Sequence, residues 1–223
     1  LRHNLRASFL PKIFADQAGN GCHLHLSLWQ GGQNLMPDQS KIGLSKIGRA
    51  FVAGLLHHLP ALMAVTTPSP NSYRRLQPHF WSGAFRCWGI DNREAAVRIP
   101  SPATSASPTH IELKTADATA NPYLALGAVI AAGLDGIRQG LDPGASVNTD
   151  PGHLSEFDRQ QQQIDRLPET LGVAIEHLSQ NQILLDAMET NLAQAFLAVR
   201  RTEWEYLKNL TLEAEAALLL ERY

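Results

Sequence analysis

Between Gly21 and Trp29 the chain alternates: His23, His25 and Ser27 interleave with Leu24, Leu26 and Leu28. A strand sends residues two apart to the same side. The leucines therefore predict a face against a core, and the two imidazoles and the hydroxyl share the opposite face. The upstream run 8–15 predicts another strand, joined to one over 23–30 by a turn at 16–21. Beyond residue 44 the period lengthens. Ile47, Phe51, Leu55 and Leu59 recur at helical spacing over 44–65. Pro60 is expected to kink or end that helix, because proline removes a donor and its ring meets the preceding turn. His57 and His58 fall inside it and read as structural or surface histidines. Pro68, Pro70 and Pro78 make 66–78 a predicted loop.

Further strands are expected at 85–90, 95–99 and 110–114. Pro122 suits the first turn of a helix that runs to about residue 139. The polar, Gly- and Pro-containing stretch 141–158 reads as a loop. The rest is helical, over about 168–179, 183–208 and 212–222. In the second of these, Leu192, Phe196, Val199, Trp204 and Leu207 form an apolar stripe that reads as packing.

Composition narrows the classes. The 223 residues are 44% hydrophobic, enough for a sizeable core. A net charge of -2 leaves no basic footprint for nucleic acid. No apolar run reads as long enough to cross a membrane. The most apolar stretch, 124–134, is broken by Gly127 and Gly133 and reads as a buried helix. No signal peptide is evident. Cys22 and Cys87 make no disulfide framework, so reduced thiols in a cytoplasmic protein are expected.

Two imidazoles and a hydroxyl on one strand face suit a metal ion and phosphate oxygens. Alone, the pattern is better explained as a solvated strand face. Three later segments change the balance: NSYRRLQP at 71–78, NREAAVRIP at 92–100 and IELKTADATANPYL at 111–124. With GNGCHLHLSLW at 19–29, they resemble in order and spacing the motifs of the glutamine synthetase family. Four ordered motifs are far more specific than any one.

The resemblance implies an α+β fold, the C-terminal part of a glutamine synthetase/guanido kinase-type catalytic domain, with an antiparallel curved sheet and flanking helices. It implies that residues 1–223 lack the N-terminal β-grasp domain and the first half of the catalytic domain, and end at a natural terminus. It also implies an ATP-dependent carboxylate–amine ligase. Glutamate would be activated as γ-glutamyl phosphate and joined to ammonia or an amine in a homo-oligomeric ring. On this reading His23 and Glu112 hold Mg²⁺ or Mn²⁺, and His25 and Ser27 contact ATP. Arg93 and Arg98 grip the nucleotide phosphates, Arg98 serving in catalysis as well. Arg75 grips the glutamate carboxylate, with Gly19 and Lys114 on the same substrate.

Departures from the family pattern carry information. Trp81 stands where the family places a glutamate that helps form the ammonium site. Tryptophan cannot accept a proton, but its π face can cover an alkylammonium. Lys114 replaces an arginine and loses its fork. Ala18 replaces an asparagine, and His110 lies near a position that is usually basic. RLQPHFWSGAFRCWGIDNREA resembles the FluG-like and nodulin-like branch, so a γ-glutamyl-polyamine or γ-glutamyl-ethanolamine ligase stands beside a true glutamine synthetase. Two other readings stay open, a guanidino-kinase-type phosphotransferase and a truncated non-catalytic member. No adenylylation-tyrosine segment follows Ile137, which predicts no regulation by that route. Cys87 reads as a small buried hydrophobe.

Overall fold

The computed structural model describes residues 3, 5, 7–38, 43–101 and 109–222. Strand β1 (Leu24–Leu26) is followed by a small ribbon, β2 (Trp29–Gln30) and β3 (Gln33–Asn34). Helices α1 (Lys46–Thr66) and α2 (Pro70–Arg75) precede β4 (Phe85–Ile90), β5 (Ala95–Ile99) and β6 (Ile111–Leu113). Then come α3 (Pro122–Gln139), a 3₁₀ turn (Pro151–His153), α4 (Glu156–Gln161) and β7 (Asp165–Arg166). Four helices close the chain: α5 (Leu171–Ser179), α6 (Gln182–Met188), α7 (Thr190–Leu207) and α8 (Leu212–Leu219).

The main sheet has the order β1-β6-β5-β4-β7. Three of its pairings are antiparallel, but β4 and β5 run parallel although only residues 91–94 separate them. The sheet is therefore mixed rather than wholly antiparallel. Leu24, Leu26 and Leu28 pack against the core as the alternation predicts. That core joins Val97, Ile111 and Leu113 of the sheet to Phe51, Leu55, Leu59 and Leu62 of α1 and to Val129 of α3. Helices α1 and α3 meet backbone to backbone. A Cβ on Gly54 would lie 2.2 Å from the carbonyl oxygen of Ala132, and one on Gly136 would lie 2.2 Å from that of Ala50. Glycine is what permits this approach.

Helix α1 does not end at Pro60 but continues to Thr66. Residues Ala61 to Val65 are all buried. Their packing outweighs the roughly 3 kcal/mol that an internal proline costs. α1 also has the length and apolar content of a membrane span, but most of it is buried inside the fold as a core helix.

No strand forms over 8–15. Instead, the Lys12 N–H donates to Asn71 Oδ1 (2.7 Å) and Asn71 Nδ2 donates to the Lys12 carbonyl (2.8 Å). One side-chain amide satisfies what a neighbouring strand would have, and Pro11 has no N–H to offer a ladder. The predicted loops at 66–78 and 141–158 contain α2 and the 3₁₀ turn, and α4 begins within the second. The predicted helix over 183–208 breaks at Glu189, whose φ of 60° separates α6 from α7. In α7 the packed face runs through Ala193, Phe196, Leu197, Trp204 and Leu207, while Leu192 and Val199 are exposed.

Candidate active site

Sheet register assembles the site. His25 lies opposite Glu112 across β1 and β6, and Arg98 lies opposite Glu112 across β5 and β6. Directly opposed residues share a face, so a histidine, a carboxylate and a guanidinium form one row. His23 joins from the residue before β1. Its Nδ1 sits 2.8 Å from Glu112 Oε1, His25 Nε2 lies 3.8 Å from the same oxygen, and Arg98 Nη1 is 3.1 Å from Oε2. Lys114, two residues beyond Glu112, is buried on the same side.

The electrostatics follow from this crowding. Burial pushes the Glu112 carboxyl up, but the hydrogen bond from His23, the positive charge of Lys114 and the hydrogen bond from Arg98 bring it down to about 2. Glu112 is thus a fixed anion. Burial lowers Lys114, and the nearby Glu112 charge opposes that shift. Burial also lowers His25, again against Glu112, with His110 adding to the lowering. The His110 ring stands 5.1 Å from that of His25.

Arg75 reaches the site from the end of α2. It is buried, and one terminal nitrogen donates to the carbonyls of Thr115 and Ala116. Two glycines make room for it. A Cβ on Gly19 would be 2.4 Å from Arg75 Cγ. One on Gly21 would be 2.9 Å from His23 Nε2 and 3.0 Å from Arg75 Nη1. The bare backbone at 21 therefore lets the imidazole and the guanidinium converge. The Nε atoms of Arg75 and Arg98 are buried with no partner among the described residues. Buried, unmet cationic donors suit a ligand rich in acceptor oxygens, such as a phosphate or a carboxylate.

The donor chemistry also fits a divalent ion. A neutral His23 that donates from Nδ1 to Glu112 keeps its Nε2 lone pair, and Glu112 is an anionic oxygen donor. One imidazole and one carboxylate suit Mn²⁺ or Mg²⁺ only alongside further oxygen ligands.

Other predicted residues are less central. Ser27 is exposed, and its Oγ accepts from Trp29 Nε1 (2.8 Å). Arg93 is exposed on the 91–94 connection and makes no hydrogen bond among the described residues. Trp81 is 60% exposed on a loop where His79, Trp81 and Gly83 all have positive φ. Its backbone N–H donates to Glu94 Oε1 (2.8 Å).

Glu94 is a residue that sequence reasoning passed over. It is buried, its Oε2 has no partner among the described residues, and its charge bears on Lys114. The signal was present, since the resembled motif reads N-R-S-A where this chain has N-R-E-A. Gly21 was also missed. Cys87 is buried, its thiol pushed up to about 12 by burial, and behaves as the small hydrophobe predicted.

The family model described as "Glutamine synthetase, catalytic domain" matches residues 1–218. Type-1 glutamine synthetase 1 of Dictyostelium discoideum is 39% identical over 97% of the chain and 43% of its own length. Gamma-glutamylpolyamine synthetase GlnA3 of Streptomyces coelicolor is 40% identical over 100% of the chain and 48% of its own length. A solved GmaS/ADP complex superposes with a TM-score of 0.82 at 37% identity, over 99% of this chain and 50% of that one. The chain thus spans about half the length of the relatives it matches.

Proposed function

The chain belongs to the glutamine synthetase family, and from that premise we propose that it is the C-terminal catalytic portion of an ATP-dependent carboxylate–amine ligase. Glutamate is the acid and an alkylamine the favoured acceptor. The observation that carries the reading is the row His25, Glu112 and Arg98 with His23, Lys114 and Arg75 around it. A carboxylate oxygen of the substrate attacks the γ-phosphorus of ATP, and the bond to ADP breaks. The amine then displaces inorganic phosphate, forming the amide and losing a proton. Such chemistry rests on positioning and charge neutralisation.

Each residue has a part in this reading. Arg75 and Lys114 hold the substrate carboxylate, with Gly19 and Gly21 giving clearance. Arg98, and Arg93 from the exposed connection, receive phosphate oxygens. His25 and Ser27 face the nucleotide. His23 and Glu112 would hold Mg²⁺ or Mn²⁺, which when bound offsets charge on the phosphates. The remaining ligands, and the β-grasp domain, belong to a longer protein that assembles as a homo-oligomeric ring in the cytoplasm. The 223-residue chain alone is expected to be inactive, so robust ATP-dependent turnover by it would sink this part of the proposal.

The acceptor preference is supported by Trp81 and Glu94. The indole can cover a cation with its π face, an interaction worth about 0.5–2 kcal/mol, and Glu94 supplies a buried carboxylate oxygen with no partner among the described residues. The test is ATP- and glutamate-dependent phosphate release by the full-length protein with ammonia, ethanolamine, putrescine and spermidine competing. Release with the larger amines is expected, and Trp81→Ala should raise the KM for them about tenfold while sparing ammonia. Equal or better use of ammonia by the unaltered protein would return the assignment to an ordinary glutamine synthetase.

A further inference from the structure

A second group of ligating side chains lies away from the row on the sheet. His79, Asp150 and His153 each offer one ligand atom, and all of these atoms lie within 4.8 Å of one another. His79 Nδ1 is 2.9 Å from Asp150 Oδ2, and His153 Nδ1 is 3.5 Å from the same oxygen. The two imidazole rings stand 4.8 Å apart, inclined at 31°. We propose that these three side chains bind a transition-metal ion of the zinc class, which ties the loop carrying Trp81 to the 150–153 turn.

The local structure is arranged for this. Asp150 caps the 3₁₀ turn through Oδ1, which accepts from the Gly152 N–H (2.7 Å). Its Oδ2 is thereby aimed at both histidines. An outer hydrogen bond that orients a ligating carboxylate is a recurrent feature of metal sites. Gly152 leaves room for the ring where it stands, since a Cβ there would lie 2.8 Å from His79 Cε1. His79 itself is held at a φ of 65°. Histidine is, with asparagine and aspartate, among the side chains that adopt this left-handed conformation most readily.

Ligand choice sets the metal. Zinc binds histidine nitrogen and carboxylate oxygen at about 2.0–2.2 Å, which separates tetrahedral ligands by roughly 3.3 Å. The two distances from the imidazoles to Asp150 Oδ2 bracket that value, and both rings are more than half exposed and free to adjust. Two imidazoles and one carboxylate suit Zn²⁺, Co²⁺ or Ni²⁺, whereas Mg²⁺ and Ca²⁺ prefer oxygen alone. The site thus differs in kind from the pair His23 and Glu112, where Mg²⁺ or Mn²⁺ is expected.

The test is a Zn²⁺ titration of the full 223-residue chain against a chromogenic chelator, with millimolar Mg²⁺ present to occupy oxygen-rich positions. His79→Asn preserves the positive φ, and His153→Ala removes the other ring. Asp150 is left intact because it caps the turn. Each variant is expected to lose one zinc equivalent, or to bind it at least about tenfold more weakly. Zn²⁺ is also expected to slow amide hydrogen exchange over 77–83 in the unaltered protein and not in the variants. Circular dichroism confirms that the variants remain folded. Unchanged stoichiometry and affinity in both variants, or displacement of the zinc by Mg²⁺, would overturn the proposal.

Discussion

Among the described residues, two histidine–carboxylate pairs share the same 2.8 Å separation, His58–Asp135 between α1 and α3, and His23–Glu112 on the sheet. The first is closed. His58 is 4% exposed and Asp135 6%. His58 Nε2 meets Asp135, and its Nδ1 is 2.8 Å from Asn181 Nδ2. The Asn181 oxygen accepts from the Leu184 N–H, so the amide nitrogen faces the ring. His58 therefore accepts at Nδ1 and donates from Nε2, and Gln139 supplies a second donor to Asp135. The second pair is open. The His23 side chain is 29% exposed, cations crowd Glu112, and Arg75 and Arg98 keep unmet donors beside it. The same pair holds helices together in one place and leaves bonding capacity for a ligand in the other. What separates them is whether the surrounding network is complete.

The comparison can be broken by exchanging the outcomes. His58→Leu leaves the buried Asp135 and the half-buried Asn181 each short of a partner, and should destabilise the fold by about 3 kcal/mol. Urea unfolding measures this, and activity per folded molecule should hold. A stable His58→Leu protein with lost activity would reverse the assignment of the two pairs. Glu112→Gln should act chiefly on turnover. The amide still accepts from His23, but a carboxyl held down to about 2 adds stability at neutral pH, so the variant should lose part of that as well. The lost anion should lower phosphate release by the full-length protein about hundredfold, or ~2.7 kcal/mol. If the midpoint of unfolding falls and turnover does not, Glu112 is a structural residue.

Both pairs were only partly legible in the sequence. The alternation at 23–28 put His23 and His25 on one face because period-two patterning is local. Four motifs in order then brought Glu112, Arg98 and Arg75 to the same place, and β4, β5 and α3 emerged close to their predicted bounds. The completion of the His58 network was not legible, since Asp135 and Asn181 lie 77 and 123 residues away along the chain. Pro60 misled because propensity is local and the burial of 61–65 is not. The break at Glu189 had no glycine or proline to announce it. Asn71 standing in for a strand partner of Lys12 also leaves no periodic trace.

The smallest expected effect concerns acid. Burial raises Asp135, but the hydrogen bonds from His58 and Gln139 and the nearby imidazoles outweigh it, so its folded pKa lies below the ordinary value. A carboxyl depressed on folding adds stability that is fully present above its unfolded pKa of about 3.9 and is lost as pH falls through the folded value. Asp135→Asn keeps an acceptor for His58 and Gln139 but removes the titration. Unaltered protein should therefore be the more stable of the two at neutral pH, and the gap should close below about pH 4. Urea midpoints measured across that range give the answer. A gap that persists in acid would mean that Asp135 contributes through shape alone, and the closed pair would then differ from His23–Glu112 in packing rather than in how its charge is met.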